Sequence, residues 1–210
     1  MTFKLPFLYN VSDCQFYPAS HFSRAREIYH IFIRWSIRTF FLHPRYTFDV
    51  QGQENLPKKG NFIIAANHIS LIDPPIVSCI LDVPVAFMSK KELFGKWYKC
   101  FFYYTIGCFA VDRDAPDLST IKTALNVLKS KSNWALGIFP EGTRSLDGQI
   151  QPFKKGALSL AIKAGAVVVP VGIQRKDNAF VVKVGQALEP GDSAEALKDK
   201  LFDALVQLVQ

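Results

Sequence analysis

The chain has 210 residues, 49% of them hydrophobic, enough to bury one good core, and one domain is expected. Its 25 Lys and Arg outweigh 18 Asp and Glu, giving a net charge of +7 and a pI near 9.2 that suit an anionic partner: nucleic acid, an acidic membrane surface or a phosphorylated ligand. Eighteen phenylalanines tilt that choice toward lipid, yet a membrane span is excluded, because the longest greasy stretch, Ile28 to Leu42, is interrupted by Arg34 and Arg38 and falls short of the roughly 20 apolar residues a span needs.

Residues 1–22 carry Pro6, Asn10 and Pro18 among scattered aromatics and read as an irregular arm; Pro6, Asp13 and Pro18 also break any signal-peptide core. From Ser23 to Leu42 the pattern becomes helical. Arg24, Glu27, His30, Arg34 and Arg38 recur at three- and four-residue intervals as one polar stripe, while Ile28, Ile31, Phe32, Trp35 and Phe40 fill much of the remaining surface. A basic face beside an aromatic-rich face is the signature of an interfacial helix, although a helix packed on a core with a solvated charged face shows a similar pattern. His43-Pro44 ends it.

A regular alternation of strands and helices follows and predicts an α/β fold with a mixed, largely parallel sheet of about seven strands. The strands are expected at Tyr46–Gln51, Asn61–Ala66, Val83–Met88, Cys108–Asp112, Ala135–Phe139, Val167–Ile173 and Ala179–Gly185. Helices are expected at Pro75–Leu81, Lys91–Tyr104, Pro116–Ser130, Lys155–Ala164 and Ala194–Val209. In the third of these, Leu118, Ile121, Leu125 and Leu128 have clean helical spacing. Pro170 demotes its strand to an edge or a bulge. Cysteines 14, 79, 100 and 108 show no paired ligand spacing and read as reduced, mostly buried thiols; no metal site is expected.

Four polar clusters stand at predicted strand ends, where open α/β sheets place their chemistry. The first is Ala66-Asn67-His68-Ile69-Ser70-Leu71-Ile72-Asp73-Pro74. His68 is the only histidine beyond residue 43, and a turn over a helix N-terminus can bring Asp73 to its far ring nitrogen, leaving the other nitrogen as a base. Taken singly, Asp73 is an ordinary helix cap and His68 an ordinary turn residue. Gly107 to Arg113 delivers an arginine after an apolar run, and Phe139-Pro140-Glu141-Gly142-Thr143-Arg144-Ser145 a glutamate and an arginine around a glycine. Two guanidinium groups at strand ends suit a phosphate. Val169-Pro170-Val171-Gly172-Ile173 is the fourth cluster, and no nucleophile elbow is present.

In this order the four stretches resemble the glycerolipid acyltransferase family, most closely the bacterial-type lysophosphatidic acid (1-acylglycerol-3-phosphate) acyltransferases. The block from His68 to Asp73 fits the family's His-(four residues)-Asp signature, and Ser89-Lys90-Lys91-Glu92-Leu93 looks like its lysine-containing stretch. The resemblance runs from about Tyr46 to Gly185 and leaves the amino-terminal arm outside. Residues 1–45 are expected as an arm with a membrane-associating helix, from the pattern of residues 23–42, and residues 46–210 as an α/β acyltransferase domain. The implied activity moves a fatty acyl group from acyl-ACP or acyl-CoA to the free hydroxyl of lysophosphatidic acid. His68 is then the base and Asp73 its orienting partner; Arg113, Arg144 and Lys90 hold the acceptor's phosphate, and Glu141, Gly142 and Thr143 shape its pocket. Backbone N–H groups near Gly142 or Val171-Gly172 steady the oxyanion, and Trp97 to Tyr104 either line the acyl route or form plain core. No metal or bound cofactor is implied. The expected place is the cytoplasmic face of a membrane, held peripherally, with lysophospholipid, acyl donor and membrane surface as partners. Alternatives are another lysolipid acceptor, or a non-catalytic basic membrane-binding module. Nucleic acid is not expected, because the basic residues are spread over many elements without a recognised motif.

Overall fold

A computed structural model describes residues 16–58, 62–80, 84–112, 118–131, 133–145 and 147–210. Among these residues seven strands form one sheet: β1 (Thr47–Gln51), β2 (Ile63–Ala66), β3 (Val85–Lys90), β4 (Cys108–Val111), β5 (Ala135–Ile138), β6 (Val168–Lys176) and β7 (Ala179–Val184). Their spatial order is β1-β7-β6-β2-β5-β3-β4. Every neighbouring pair is parallel except the β6–β7 hairpin, so the expected mixed, largely parallel α/β sheet is what forms. The hairpin turns at Asp177, whose φ of 54° is one that Asp tolerates better than most residues. The central strands β2 and β5 are buried along their whole length, which is why their sequences are unbroken apolar runs.

Among the described residues, six α-helices accompany the sheet: α1 (Arg24–Ile37), α2 (Asp73–Ile80), α3 (Trp97–Thr105), α4 (Leu118–Leu128), α5 (Lys155–Ala164) and α6 (Ala194–Val209). Helices α4, α5 and α6 pack in sequence, with α4 on β4 and β5 and α6 on β6. The Ser193 hydroxyl caps α6 by accepting the Ala196 N–H at 3.3 Å.

Several expectations shift. The helix expected over 91–104 is two pieces, a 3-10 turn at Lys91–Phe94 and then α3, separated at Gly95 and Lys96. In α4 the buried face is Thr120, Thr123, Ala124, Val127 and Leu128, and Leu118 stands 73% exposed. The buried threonines are accommodated because each is bonded: the Thr120 hydroxyl donates to Ala110 O, and that of Thr123 accepts the Tyr17 N–H. Strand β6 is no edge, since β2 and β7 flank it. Pro170 fits there because its missing N–H faces the stretch after β7 ends, where Gly185 N–H donates to Pro170 O. Cys79 and Cys108 are free and buried, but Cys100 is disulfide-bonded, against the expectation of four reduced thiols; its partner lies outside the described residues.

Helix α1 turns part of its polar stripe inward. His30 and Arg34 are 2% and 8% exposed, whereas Ile28, Ile31, Phe32 and Trp35 are 63%, 44%, 59% and 55% exposed. The polar side chains tie the helix to the protein: Arg26 donates to Tyr104 O at 2.8 Å, His30 Nε2 to Ile106 O at 2.9 Å, and Arg34 to Ser78 O at 3.0 Å. Burial pushes His30 down to about 4, and burial with the nearby Arg26 charge pushes His21 down to about 3, so both stay neutral. After Ile37 the helix widens into a π turn, Arg38–Leu42, with Phe40 and Phe41 exposed. Of the arm expected over residues 1–22, residues 1–15 lie outside the described residues, while Tyr17 and Phe22 are buried in the core beside a 3-10 turn at Ala19–His21.

Candidate active site

Strands β6, β2, β5, β3 and β4 are consecutive neighbours and mutually parallel, so their carboxyl ends share one edge. The His68 turn leaves β2, the Glu141 loop leaves β5, Lys90 ends β3 and Asp112 follows β4. Clusters far apart in the chain thus become adjacent in space. Arg113, expected to hold phosphate, lies outside the described residues.

The turn after β2 is held by Asp73, the first residue of α2 and wholly buried. One carboxylate oxygen, Oδ2, accepts three bonds: His68 Nδ1–H at 2.8 Å, and the N–H groups of Ile69 and Ser70 at 2.7 Å each. The carboxylate therefore folds back over the preceding turn instead of capping the helix that follows. Its acceptance at Nδ1 sets the His68 tautomer and leaves Nε2 for a ligand. Oδ1 is buried without a protein partner among the described residues. Asn67 secures the other side of the turn: its amide donates to Ile173 O at 2.9 Å and accepts Ile173 N–H at 2.6 Å, extending the β2–β6 ladder by one residue.

Glu141 is 3% exposed, and both its oxygens are used: Oε1 accepts the His68 N–H at 3.0 Å and Oε2 the Gln151 N–H at 2.9 Å. Burial raises its carboxyl above the ordinary range, opposed by those two N–H bonds. This side chain faces the His68 backbone and not an open pocket. Ser145 N–H donates to His68 O at 2.8 Å, so the loop grips the histidine at both backbone groups. The His68 ring stacks on Phe139 at 4.1 Å, and Phe139 on Phe87 at 5.8 Å. Gly137 makes that stack possible, because a Cβ there would stand 2.4 Å from the Phe87 ring. Gly142 turns the loop at φ 71°, and the Lys154 side chain lies across it.

Arg144, Thr143 and Lys90 are exposed; Lys90 sits 3.8 Å from Glu92. Lys91 pairs with Asp112. Gly142 N–H is committed to Phe139 O at 3.0 Å, and Val171 and Gly172 lie within the sheet ladders, so the candidate oxyanion donors are all engaged by backbone. Beneath Phe139 and Pro140 opens a cavity of about 400 Å³, mostly apolar, lined by β3–β5, α4 and α5, with Lys154 and Lys163 at its wall. None of its lining comes from α3, the helix expected to line an acyl route; Cys100 and Tyr104 of α3 are buried in the core and Trp97, Tyr98 and Phe102 are exposed. The contributions of Asn67, Phe139 and Lys154 escape sequence reasoning, since each depends on a partner distant in the chain. Among the described residues, no group of three or more His, Cys, Asp or Glu could hold a metal ion, and no helix is long and apolar enough to cross a membrane.

Residues 47–174 match the Acyltransferase family. The chain is 31% identical over 135 residues to the 1-acyl-sn-glycerol-3-phosphate acyltransferase of Borreliella burgdorferi, covering 64% of this chain and 54% of that protein. It is 39% identical over 127 residues to the protein of the same name from Bacillus subtilis, covering 60% and 61%. The matched stretch thus spans little more than half the length of these curated relatives. The crystal structure of the 1-acyl-sn-glycerophosphate (LPA) acyltransferase from Thermotoga maritima superposes with a TM-score of 0.66 and 26% identity, covering 90% of this chain and 83% of that one.

Proposed function

The chain belongs to the Acyltransferase family, and from that premise we propose that it moves a fatty acyl group from acyl-ACP or acyl-CoA to the free hydroxyl of 1-acylglycerol 3-phosphate, giving phosphatidic acid. The observation that carries this reading is the buried Asp73 carboxylate 2.8 Å from His68 Nδ1, with the ring braced on Phe139. His68 Nε2 takes the proton of the acceptor hydroxyl as that oxygen bonds to the thioester carbonyl carbon. The carbonyl electrons move onto oxygen and return as the C–S bond breaks, and the imidazolium gives its proton to the departing thiolate. Asp73 stabilises the imidazolium between these steps. The reaction so written needs no metal or bound cofactor and no covalent enzyme intermediate.

Arg144 and Lys90, at the edge that carries His68, supply cationic groups for the acceptor's phosphate, and Arg113 is assigned the same role. The cavity beneath Phe139 takes an acyl chain: its lining is mostly apolar and it begins at the ring stacked on His68. Glu141 shapes the site through the His68 backbone, while Gly142 and Thr143 form the loop the acceptor meets.

Residues 1–45 serve as the membrane-associating part and 46–210 as the catalytic α/β unit. The outward apolar face of α1 supports a peripheral position on a membrane surface, because a helix that bonds its polar side to the protein and turns Phe32 and Trp35 outward has no aqueous use for them. Purified protein offered a grid of acyl donors and lysolipids, with products read by mass, tests the activity. Transfer to lysophosphatidic acid is expected, and no transfer to any lysolipid would leave the non-catalytic membrane module as the better reading.

A further inference from the structure

Where α1 passes into the π turn Arg38–Leu42, the chain closes over a second, smaller cavity of about 150 Å³. Its walls include Arg38, Leu42 and His43 from the turn, Phe48 and Val50 from β1, and Cys79 from α2. The lining is divided by polarity. Leu42 and Cys79 are buried and form an apolar floor, and burial pushes the Cys79 thiol up to about 11, so that floor is uncharged at neutral pH. Arg38 and His43 are exposed at the mouth. Arg38 Nε–H donates to His43 Nε2 at 3.0 Å, which fixes the two side chains on each other and leaves His43 with an Nδ1–H to donate. No carboxylate lines the notch: the alternation of β1 puts Phe48 and Val50 on this side and Asp49 on the other, where it holds the Gln51 amide. π turns inside helices are frequent at functional sites.

We propose that this notch, outside the catalytic edge, is a headgroup site for an anionic phospholipid of the bilayer, with the phosphate on Arg38 and His43 and the glycerol over Leu42 and Val50. The volume corresponds to about five waters, enough for a glycerophosphate and too little for a long acyl chain. Phe40 and Phe41, 61% and 63% exposed on the same turn, supply the apolar surroundings in which the acyl tails of such a lipid remain. The notch rests on the interfacial reading of α1, and turns that surface from a general lipid contact into one that selects charge at a defined point. It also shares α2 with the site, since Cys79 lies in the last turn of the helix that Asp73 opens.

Two measurements on the full chain test the proposal. In the first, the His43 ring resonances are followed by NMR while monomeric dihexanoyl phosphatidylglycerol, or inorganic phosphate at equal concentration, is added. A saturable shift with the lipid, much weaker with phosphate and lost in R38Q, is expected. No shift, or an equal one with inorganic phosphate, overturns the lipid site. In the second, R38Q is compared with R24Q, an equal charge loss at an exposed α1 residue outside the notch, on vesicles of phosphatidylcholine with one-fifth phosphatidylglycerol. Affinity should fall at least about tenfold for R38Q, where bonds to a charged group are lost, against about fivefold for R24Q, where only surface attraction is. Equal losses refute the notch while leaving an interfacial α1 standing. A wild-type chain that ignores vesicles refutes the interfacial reading and with it a bilayer lipid in the notch.

Discussion

The backbone N–H of His68 donates to the buried carboxylate of Glu141 at 3.0 Å, across 73 residues of sequence. Glu141 thereby positions the proposed base without facing the substrate. Replacing it with Gln keeps the shape but offers one acceptor oxygen where two N–H groups need one, leaving the other against an NH₂. An unmade buried bond costs about 1–3 kcal/mol. E141Q should therefore lower kcat about tenfold or more while KM for the lysolipid changes little. A rise in KM with kcat intact would return Glu141 to direct acceptor binding.

His68→Ala should retain the fold and lose more than about a hundredfold in turnover, the lower end of what general-base help supplies. Asp73→Asn should be nearly as damaging, because an amide cannot stabilise the imidazolium; it also weakens the bonds to Ile69 and Ser70 N–H, so a melting curve must accompany the rate. Normal turnover in a folded D73N protein would reduce Asp73 to a turn-forming residue.

Arg144→Ala should raise KM for a phosphorylated acceptor about 10- to 150-fold and spare that for the acyl donor, as loss of a hydrogen bond to a charged group predicts. The residue is exposed, so stability should be unaffected. An equal loss with a lysolipid lacking phosphate would refute the assignment, and the same comparison applies to Arg113.

Changing Phe32 and Trp35 to Ser should release the chain from anionic vesicles and depress turnover of membrane-embedded acceptor far more than of a soluble short-chain one. Because both rings point away from the protein, the melting temperature should hold or rise slightly. A destabilised variant that still sediments with vesicles would show that these rings serve packing.

His30 and His21 are neutral in the folded chain, with values near 4 and 3 against about 6.5 when unfolded. Below pH 6.5 the unfolded chain takes up protons that the folded chain refuses. Their contribution to stability is complete above pH 6.5 and is lost as pH falls toward 4 and then 3. Glu141, whose carboxyl is raised by burial, works in the opposite sense and blunts the slope. Thermal unfolding from pH 7 to 4.5 should show a falling midpoint, and His30→Gln, which can still donate to Ile106 O, should make that fall shallower. An unchanged slope in H30Q would mean that α1 docking does not depend on a neutral His30.

The strand and helix succession, the His68–Asp73 turn and the Acyltransferase family membership were legible in the sequence because each depends on residues close in the chain. Apolar runs such as Ile63–Ala66 can only be buried, and a histidine five positions before an aspartate at a helix start has few ways to turn. What lies between distant segments was not legible. The sheet order sets β5 between β2 and β3, so Glu141 reaches His68 and Phe139 stacks on it, and no local pattern encodes that neighbourhood. The facing of α1 was likewise settled only in three dimensions. Periodicity separates a helix into two faces without saying which is inside, and the usual rule puts the apolar one there. Here the carbonyls of Ser78, Tyr104 and Ile106 accept bonds from Arg34, Arg26 and His30, and that set of hydrogen bonds turned the aromatic face outward.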